Sequence, residues 1–203
     1  MYCVILAAGK SKRIGKDKAF LKIGKETFIS TISGKLKKFA KIIIVSNKNN
    51  FEKIKKELSG LTIIINKKYH LGQIYSVKLA IRYLIKNKIN TPLMIHLIDQ
   101  PLIRKSTYKK LISQYKKNTN KIIIPYTLNN DKKRKRGHPI IIPQLYFPLV
   151  LKAPYDIGLH WVTHHKEVRI KNVYVNDKNI IKDIDTIDDY RNMILYNYSY
   201  GYK

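Results

Sequence analysis

The sequence predicts a doubly wound α/β fold, in which a mostly parallel sheet lies between two layers of helices. The first observation is a series of short, β-branched apolar runs at residues 42–45, 61–65, 93–98 and 122–124. Such runs are typical of strands that are covered on both faces. The second observation is the helical spacing of apolar residues at 51–58, 76–87 and 106–118. Strands that alternate with helices in this way indicate a three-layer α/β/α architecture.

Length and composition favour one globular unit. The 203 residues suffice for one hydrophobic core, so we predict a single domain over residues 1–203. Its Tyr-rich end, from about residue 191, either packs as a helix or extends. No apolar run approaches the roughly 20 residues that a membrane span needs, so no membrane partner is expected. A single cysteine, Cys3, excludes a disulfide framework. We expect a cytoplasmic monomer.

The formal net charge of +28 raises nucleic-acid binding as a hypothesis. However, the lysines are spread along the whole chain together with many Ile, Asn and Tyr residues, which is typical of AT-rich codon usage. No specific nucleic-acid partner is therefore expected. The densest basic run, residues 132–136, leaves a non-catalytic RNA-binding protein as the alternative from a different class.

The first predicted strand, residues 2–6, leads directly into a loop of small residues and cations. Small residues allow backbone N–H groups to approach a bound anion, and cations add charge-assisted hydrogen bonds to phosphate oxygens. The loop is not a Walker A sequence, because five residues rather than four separate Gly9 from Gly15. On chemistry alone, a polyphosphate-binding loop and an ordinary turn with solvated lysines both remain open.

A carboxylate, Asp99, ends the apolar run at residues 93–98. Its place at the exposed end of a buried strand suits Mg²⁺, which prefers hard oxygen ligands. Pro101 is expected to fix the turn so that the Asp99 side chain faces the cleft. The alternative is that Asp99 caps the helix that begins near Ser106. Ser76 and Ser106 are themselves predicted as the N-caps of the helices at 76–87 and 106–118.

Four carboxylates lie within seven positions at residues 183–189, in a chain with only 13 acidic residues. One interpretation is an acidic helix start, in which Thr186 and Asp189 form a capping box. The other is that Asp185 is a second metal ligand.

Two further segments combine glycine with polar residues. Gly72 and Ser76 open a predicted helix, and either cap it or bind a base, ribose or phosphate. Gly137 and His138 precede a strand, where a lone histidine is usually structural. The neighbouring basic run at residues 132–136 suits a phosphate-bearing ligand.

Together these segments resemble a known family. The pattern Leu-Ala-Ala-Gly-x-Ser-x-Arg-x-Gly-x-x-Lys, from Leu6 to Lys18, resembles the signature of nucleotidyltransferases that make nucleoside-diphosphate derivatives. The chain is similar to the MobA-like NTP transferase family, and most to the branch that contains molybdenum cofactor cytidylyltransferase. The resemblance extends to about Tyr190. It departs at His160, where that branch has arginine, and at Ile187, where it has proline.

This resemblance implies a Rossmann-like sheet of the nucleotide-diphospho-sugar transferase type and a set of site residues. Arg13 would contact the β- and γ-phosphates, Lys18 would neutralise charge near the α-phosphate, and Asp99 would act with them in catalysis. Asp99 and Asp185 would hold Mg²⁺. The implied nucleotide-binding residues are Leu6, Ala7, Ala8, Gly9, Lys10, Ser11, Arg13, Lys18, Gly72 and Ser76, and the implied acceptor-binding residues are Gln100, Pro101, Gly137 and His138.

The implied reaction is transfer of CMP from CTP to a phosphorylated acceptor, with release of pyrophosphate. CTP is favoured over GTP because guanylyltransferase relatives usually have Gly-Gly where this chain has Ala7-Ala8. Molybdopterin cofactor is the expected acceptor. A sugar phosphate or another phosphorylated alcohol is the alternative acceptor.

Overall fold

The apolar run at the start of the chain becomes β1 (Tyr2–Leu6), a central strand of an eight-stranded sheet. The structure is a computed structural model that describes residues 1–11 and 13–200, with side chains through Leu195. β4 (Lys41–Ser46) and β6 (Leu93–Leu97) pair with β1 in parallel on either side. Cys3 is fully buried in β1, as predicted for a small apolar side chain.

The sheet has the strand order β10-β7-β9-β6-β1-β4-β5, with β8 paired to β7. Its remaining members are β5 (Thr62–Ile65), β7 (Ile122–Leu128), β8 (Arg134–Arg136), β9 (Ile140–Ile142) and β10 (Ile170–Tyr174). A separate two-stranded ribbon consists of β2 (Lys22–Ile23) and β3 (Glu26–Thr27). The mostly parallel sheet that the sequence predicts is therefore confirmed.

Helices cover both faces of this sheet, and each face has its own hydrophobic cluster. One face packs against α1 (Phe28–Leu36), α2 (Phe51–Glu57), α4 (Lys105–Lys117) and α7 (Ile187–Tyr200). The other face packs against α3 (Gln73–Lys86), α5 (Phe147–Lys152) and α6 (Leu159–Thr163). Alternate residues of β1 serve the two clusters, because Ile5 belongs to the first and Val4 to the second.

Both predicted serine caps were wrong. α3 begins at Gln73 after Gly72, so Ser76 lies one turn inside the helix and is buried. α4 begins at Lys105, so Ser106 is already helical. Gly72 has φ = +83°, a conformation that favours glycine, and this turn rather than a serine starts α3.

An antiparallel insertion separates the parallel strands. β9 lies between β6 and β7 and pairs with both in antiparallel orientation. The chain reaches β9 from the β7–β8 hairpin through Gly137 and His138, and the His138–Pro139 peptide bond is cis. This route brings the Gly137–His138 segment alongside the 3₁₀ turn at residues 178–181, where the His138 N–H donates to the Ile180 carbonyl at 3.0 Å.

The start of α7 has the predicted capping box. The Asp189 carboxylate accepts hydrogen bonds from the Thr186 N–H and hydroxyl, both at 2.8 Å, and the Asp189 N–H donates back to the Thr186 hydroxyl. These bonds lower the pKa of Asp189. The predicted tail is helical through Tyr200, and its last three residues lie outside the described part of the chain. Within the described residues, no helix is both long and apolar enough to cross a membrane.

Candidate active site

The carboxyl ends of parallel strands β1 and β6 meet at one edge of the sheet and open a cavity of about 280 Å³, here called the first pocket. Loops outside the carboxyl ends of such strands are where α/β sheets bind ligands. Ten of the sixteen predicted site residues line this pocket: Leu6, Ala8, Gly9, Ser11, Arg13, Lys18, Gly72, Ser76, Asp99 and Asp185.

The N-terminal loop, residues 7–17, is held by two asparagines that follow β4. The Asn50 side-chain amide donates to the Ala7 carbonyl at 2.8 Å and to the Asp17 carboxylate at 2.9 Å. The Asn47 amide donates to the Ala8 carbonyl at 3.2 Å. Both asparagines are buried, so the Ala7 and Ala8 carbonyls have buried hydrogen-bond donors.

Sequence reasoning did not find these two asparagines. A signal existed, because polar residues directly follow the buried run of β4, as Asp99 follows that of β6. Two predicted residues of the loop lie away from the pocket lining. The Ala7 side chain is buried in the core, and Lys10 is exposed with its ammonium 5.2 Å from the centre of the Tyr69 ring.

Three charged side chains that are far apart in sequence meet in the first pocket. The Lys18 Nζ donates to Asp99 Oδ2 at 3.0 Å and also to Asp185 Oδ1. Arg13 Nη2 lies 2.7 Å from the second oxygen of Asp185. The Lys18 side chain is only 10% exposed, whereas that of Arg13 is 71% exposed. Lys18 is thus fixed within the pocket wall, and Arg13 lies at its rim.

Burial and ion pairing shift the pKa values of Lys18 and Asp99 in opposite directions. Burial acts to lower the pKa of Lys18, but its hydrogen bonds and charge interactions with Asp185 and Asp99 outweigh burial and raise it. Burial raises the pKa of Asp99, and the nearby Lys18 ammonium opposes that shift. Lys18 therefore keeps its positive charge over the whole neutral range.

The carboxylate oxygens of Asp99 and Asp185 are arranged as in a cation site. Their oxygens already converge on one positive group, the Lys18 ammonium. The other oxygen, Asp99 Oδ1, is buried and has no hydrogen-bond partner among the described residues. Those residues contain no group of three or more His, Cys, Asp or Glu side chains that is placed to hold a metal ion. A pair of carboxylates suits Mg²⁺, which keeps several waters and completes its shell with substrate phosphates.

A larger cavity of about 520 Å³, the second pocket, adjoins the first and shares Gly72 and Gln73 with it. Gly137 and His138 line this cavity, as do Arg136 and His160. Burial lowers the pKa of His138 to about 4, so its ring is neutral at physiological pH.

The remaining walls of the second pocket combine apolar side chains and stacked histidines with the polar side chains of Asp156 and Thr163. Ile157 and Tyr155 are exposed there, and the imidazoles of His160 and His164 stack with their centres 3.9 Å apart. Gly137 packs so closely on the 3₁₀ turn that a Cβ at this position would collide with the Ile180 carbonyl. The packing of this wall of the second pocket therefore requires glycine at position 137.

Two predicted acceptor-binding residues do not line either pocket. Gln100 is buried, and its amide donates to the Ile180 carbonyl at 3.1 Å and to the Asp183 carboxylate at 2.8 Å. Pro101 is buried as well, and its carbonyl accepts from Lys35. Gln100 and Pro101 directly follow Asp99 in the chain, and their hydrogen bonds hold the turn that carries it.

Other residues of the first pocket were missed by sequence reasoning. Tyr69 and Gln73 flank Gly72, and Leu97 and Ile98 end the strand before Asp99. Ser76 accepts a hydrogen bond from the Asn66 amide at 2.9 Å. No motif indicated Tyr69, because its position depends on the 3₁₀ turn at residues 69–71.

Comparison of this sequence with known proteins identifies one family. Residues 3–169 match the family described as the MobA-like NTP transferase domain. A probable molybdenum cofactor guanylyltransferase of Clostridium perfringens is 28% identical and covers 94% of each chain. Molybdenum cofactor cytidylyltransferase of Escherichia coli is also 28% identical, over 93% of this chain and 92% of the relative.

The fold is shared with solved structures at lower identity. A crystal structure of Rv0371C from Mycobacterium tuberculosis in complex with manganese has a TM-score of 0.72 and 20% identity. The match covers 96% of this chain and 97% of that chain. The three-layer α/β architecture is therefore that of these proteins.

Proposed function

This chain belongs to the MobA-like NTP transferase family and is a nucleotidyltransferase, and from this premise we propose that it transfers CMP from CTP to molybdopterin cofactor or a similar phosphorylated acceptor. The observation that carries the proposal is the convergence of Lys18, Asp99 and Asp185 beyond the end of β1. In the proposed reaction, a phosphate oxygen of the acceptor forms a bond to the α-phosphorus. The bond from the α-phosphorus to the bridging oxygen breaks, and pyrophosphate leaves.

The triphosphate would lie along the N-terminal loop. No protein atom lies within 4 Å of a Cβ built at Gly9 or Gly15, and backbone N–H groups of such a small-residue loop suit a bound anion. Lys18 would neutralise charge at the α-phosphate, and the exposed Arg13 would reach the β- and γ-phosphates from the rim. The reaction needs no side-chain nucleophile, so catalysis rests on positioning and on charge.

Asp99 and Asp185 are the residues that would hold a divalent cation. Mg²⁺, when bound, would supply positive charge to the phosphate oxygens and the attacking oxygen. The manganese complex of the mycobacterial protein of the same fold supports a divalent cation at this site, and an oxygen-only ligand pair suits Mg²⁺ as well as Mn²⁺. Lys18 would remain beside the same carboxylates and orient them.

The acceptor would occupy the second pocket. This cavity shares Gly72 and Gln73 with the first pocket, so an acceptor bound there lies beside the triphosphate. The neutral His138 ring and the cationic Arg136 offer a hydrogen bond and a charge to an acceptor phosphate. Tyr155 and Ile157 suit the uncharged part of such a ligand.

The choice of CTP rests on Ala7 and Ala8, since the guanylyltransferases that this chain resembles usually have two glycines at these positions. The curated relatives include both a guanylyl- and a cytidylyltransferase at the same identity, so overall similarity does not select the base. Sugar phosphates and phosphorylated alcohols remain alternative acceptors at the same site. We further propose one domain, because both pockets lie against one sheet, and a monomeric state.

The test is Mg²⁺-dependent release of pyrophosphate, measured with each of four nucleoside triphosphates and a panel of acceptors. Asp99→Asn should lower turnover by about a hundredfold or more, because the amide loses the charge that holds the cation. The matched control is Asp188→Asn, an exposed carboxylate on α7, which should leave turnover unchanged. Preference for GTP would overturn the CTP assignment.

A second measurement separates the enzyme from the RNA-binding alternative. The basic run at residues 132–136 ends in the exposed strand β8, so RNA binding should be titrated at several salt concentrations. Tight, sequence-selective RNA binding together with no pyrophosphate release would favour that alternative.

A further inference from the structure

The loop that carries Asp99, residues 98–104, joins β6 to α4 and is here called the Asp99 loop. It has neither the hydrogen bonds of a strand nor those of a helix, although Gln100 and Ile103 are buried. Its backbone carbonyls therefore need donors from elsewhere in the fold, because a buried carbonyl without a partner is costly.

A lysine from the neighbouring helix supplies those donors. Lys35 lies in the last turn of α1, and its Nζ donates to the Pro101 carbonyl at 2.7 Å and to the Ile103 carbonyl at 3.2 Å. One ammonium group thus joins two carbonyls of the same loop. Hydrogen bonds from a charged donor are roughly twice as strong as those between neutral groups.

Asp99 itself is held from the opposite side. The Asp99 carbonyl accepts from the Ile184 N–H at 2.9 Å, next to Asp185. The backbone of the loop is therefore held by α1 on one side and by the segment before α7 on the other. The Asp99 carboxylate lies between these two attachments and faces Lys18.

Three charged side chains act on Lys35 from the elements around it. Burial is the largest influence and lowers the pKa of Lys35 to about 8. Asp177, before the 3₁₀ turn at 178–181, and Glu26, in β3, oppose this shift, whereas Lys105 at the start of α4 adds to it. Lys35 is therefore charged below about pH 8 and loses its charge above it.

We propose that Lys35 is a positioning residue, whose ammonium group fixes the Asp99 loop by bonding the carbonyls of Pro101 and Ile103. Lys35 touches neither pocket, so it acts only through the backbone that carries Asp99. The inference rests on the proposed role of Asp99 in the first pocket. It predicts that the alkaline side of the pH profile reports the charge on Lys35.

The test compares Lys35→Met, which keeps the length and removes the donors, with Lys35→Arg, which keeps a charge at all working pH values. Lys38→Met, an exposed lysine just after α1, is the control for loss of one charge. Each protein is measured for turnover from pH 6 to 10, for the KM of the nucleotide, and for hydrogen exchange at residues 98–104. Thermal unfolding shows whether each variant is folded.

Lys35→Met should lower turnover about tenfold, change the nucleotide KM little, and speed exchange in the Asp99 loop. The wild-type protein should lose turnover above about pH 8, and Lys35→Arg should retain it there. Wild-type exchange and turnover in Lys35→Met would overturn the proposal. So would a Lys35→Arg profile that falls at the same pH as that of the wild type.

Lys35→Arg decides the question if Lys35→Met does not fold. A wild-type protein without pyrophosphate release would overturn the proposed function instead. The hydrogen-exchange measurement would then still show whether Lys35 holds the Asp99 loop.

Discussion

The two pockets share a wall but differ in how their walls are built. In the first pocket, charged side chains are fixed by one another, as Lys18 is by Asp99 and Asp185. In the second pocket, apolar side chains and the stacked imidazoles of His160 and His164 are exposed. The first pocket stands on central parallel strands, whereas the second lies over the antiparallel insertion β9 and short helices.

This difference indicates a division of tasks. A preorganised set of charges suits a step that is common to many related enzymes, because it stabilises phosphate charge without reorganisation. A wall of short, irregular segments tolerates substitution and suits a part of the ligand that varies between relatives. One of the two departures from the family pattern, His160, lies in the second pocket, whereas the other, Ile187, begins α7.

The largest effect is expected for Lys18→Met. Removal of this ammonium takes away the charge at the α-phosphate and leaves two carboxylates facing each other, so turnover should fall by about a thousandfold. Pyrophosphate release measures it, with the exposed Lys16→Met as the control from the same loop. Turnover within tenfold of the wild type would mean that the first pocket is not the site of charge neutralisation.

The next largest effect is a loss of stability in Gly137→Ala, at a residue that lines the second pocket. In Gly137→Ala the added methyl group would meet the Ile180 backbone, and we expect a loss of about 1–3 kcal/mol in the free energy of unfolding. Denaturant unfolding measures this loss. Gly34→Ala is the control, because a Cβ there meets nothing within 4 Å inside α1 and should stabilise the helix. Equal stability of both variants would contradict the close packing at Gly137.

A smaller effect is expected for Gly9→Ala in the first pocket. A Cβ at Gly9 meets no protein atom within 4 Å, so the free energy of unfolding should not change. The methyl group would instead occupy space at the phosphates, and the nucleotide KM should rise by about tenfold, or 1.4 kcal/mol. An unchanged KM would show that the triphosphate does not approach this glycine.

The smallest effect is expected for His160→Ala. Its ring is exposed and stacks on His164, so its loss should raise the acceptor KM by about threefold, as expected for a contact worth well under 1 kcal/mol, and leave the nucleotide KM unchanged. Steady-state kinetics with each substrate varied in turn measures both values. His165→Ala, from the same segment, is the control. A change in the nucleotide KM alone would reverse the assignment of the two pockets.

β10 is parallel, but its sequence Ile-Lys-Asn-Val-Tyr contains no apolar run that could predict it. The other parallel strands, β1, β4, β5, β6 and β7, were predictable from sequence because each contains a continuous apolar run. The antiparallel half was not, because β8 and β9 have three residues each and are specified by pairing with distant strands. The same reasoning explains the wrong caps. Ser76 and Ser106 have the chemistry of caps, but the turn at Gly72 starts α3 earlier, and α4 starts at Lys105.

Within the site, sequence patterns predicted the charged residues better than the residues that hold them. Lys18, Asp99 and Asp185 belong to recognisable motifs, and the structure brings them together. Asn50 and Lys35 escaped prediction because their partners are backbone carbonyls 43 and 66 positions away in the chain. No local pattern marks a side chain whose role is to satisfy a distant carbonyl.

The contact between Lys18 and Asp185 joins residues 167 positions apart, and the Ile184 N–H reaches the Asp99 carbonyl beside it. Proteins are synthesised from the amino terminus, and long-range contacts of this kind form late. The strands of the sheet leave the ribosome before the segment that supplies Asp185. A nascent chain can therefore build its sheet while it still lacks one carboxylate of the site, and it gains that carboxylate only after the last strand has been made.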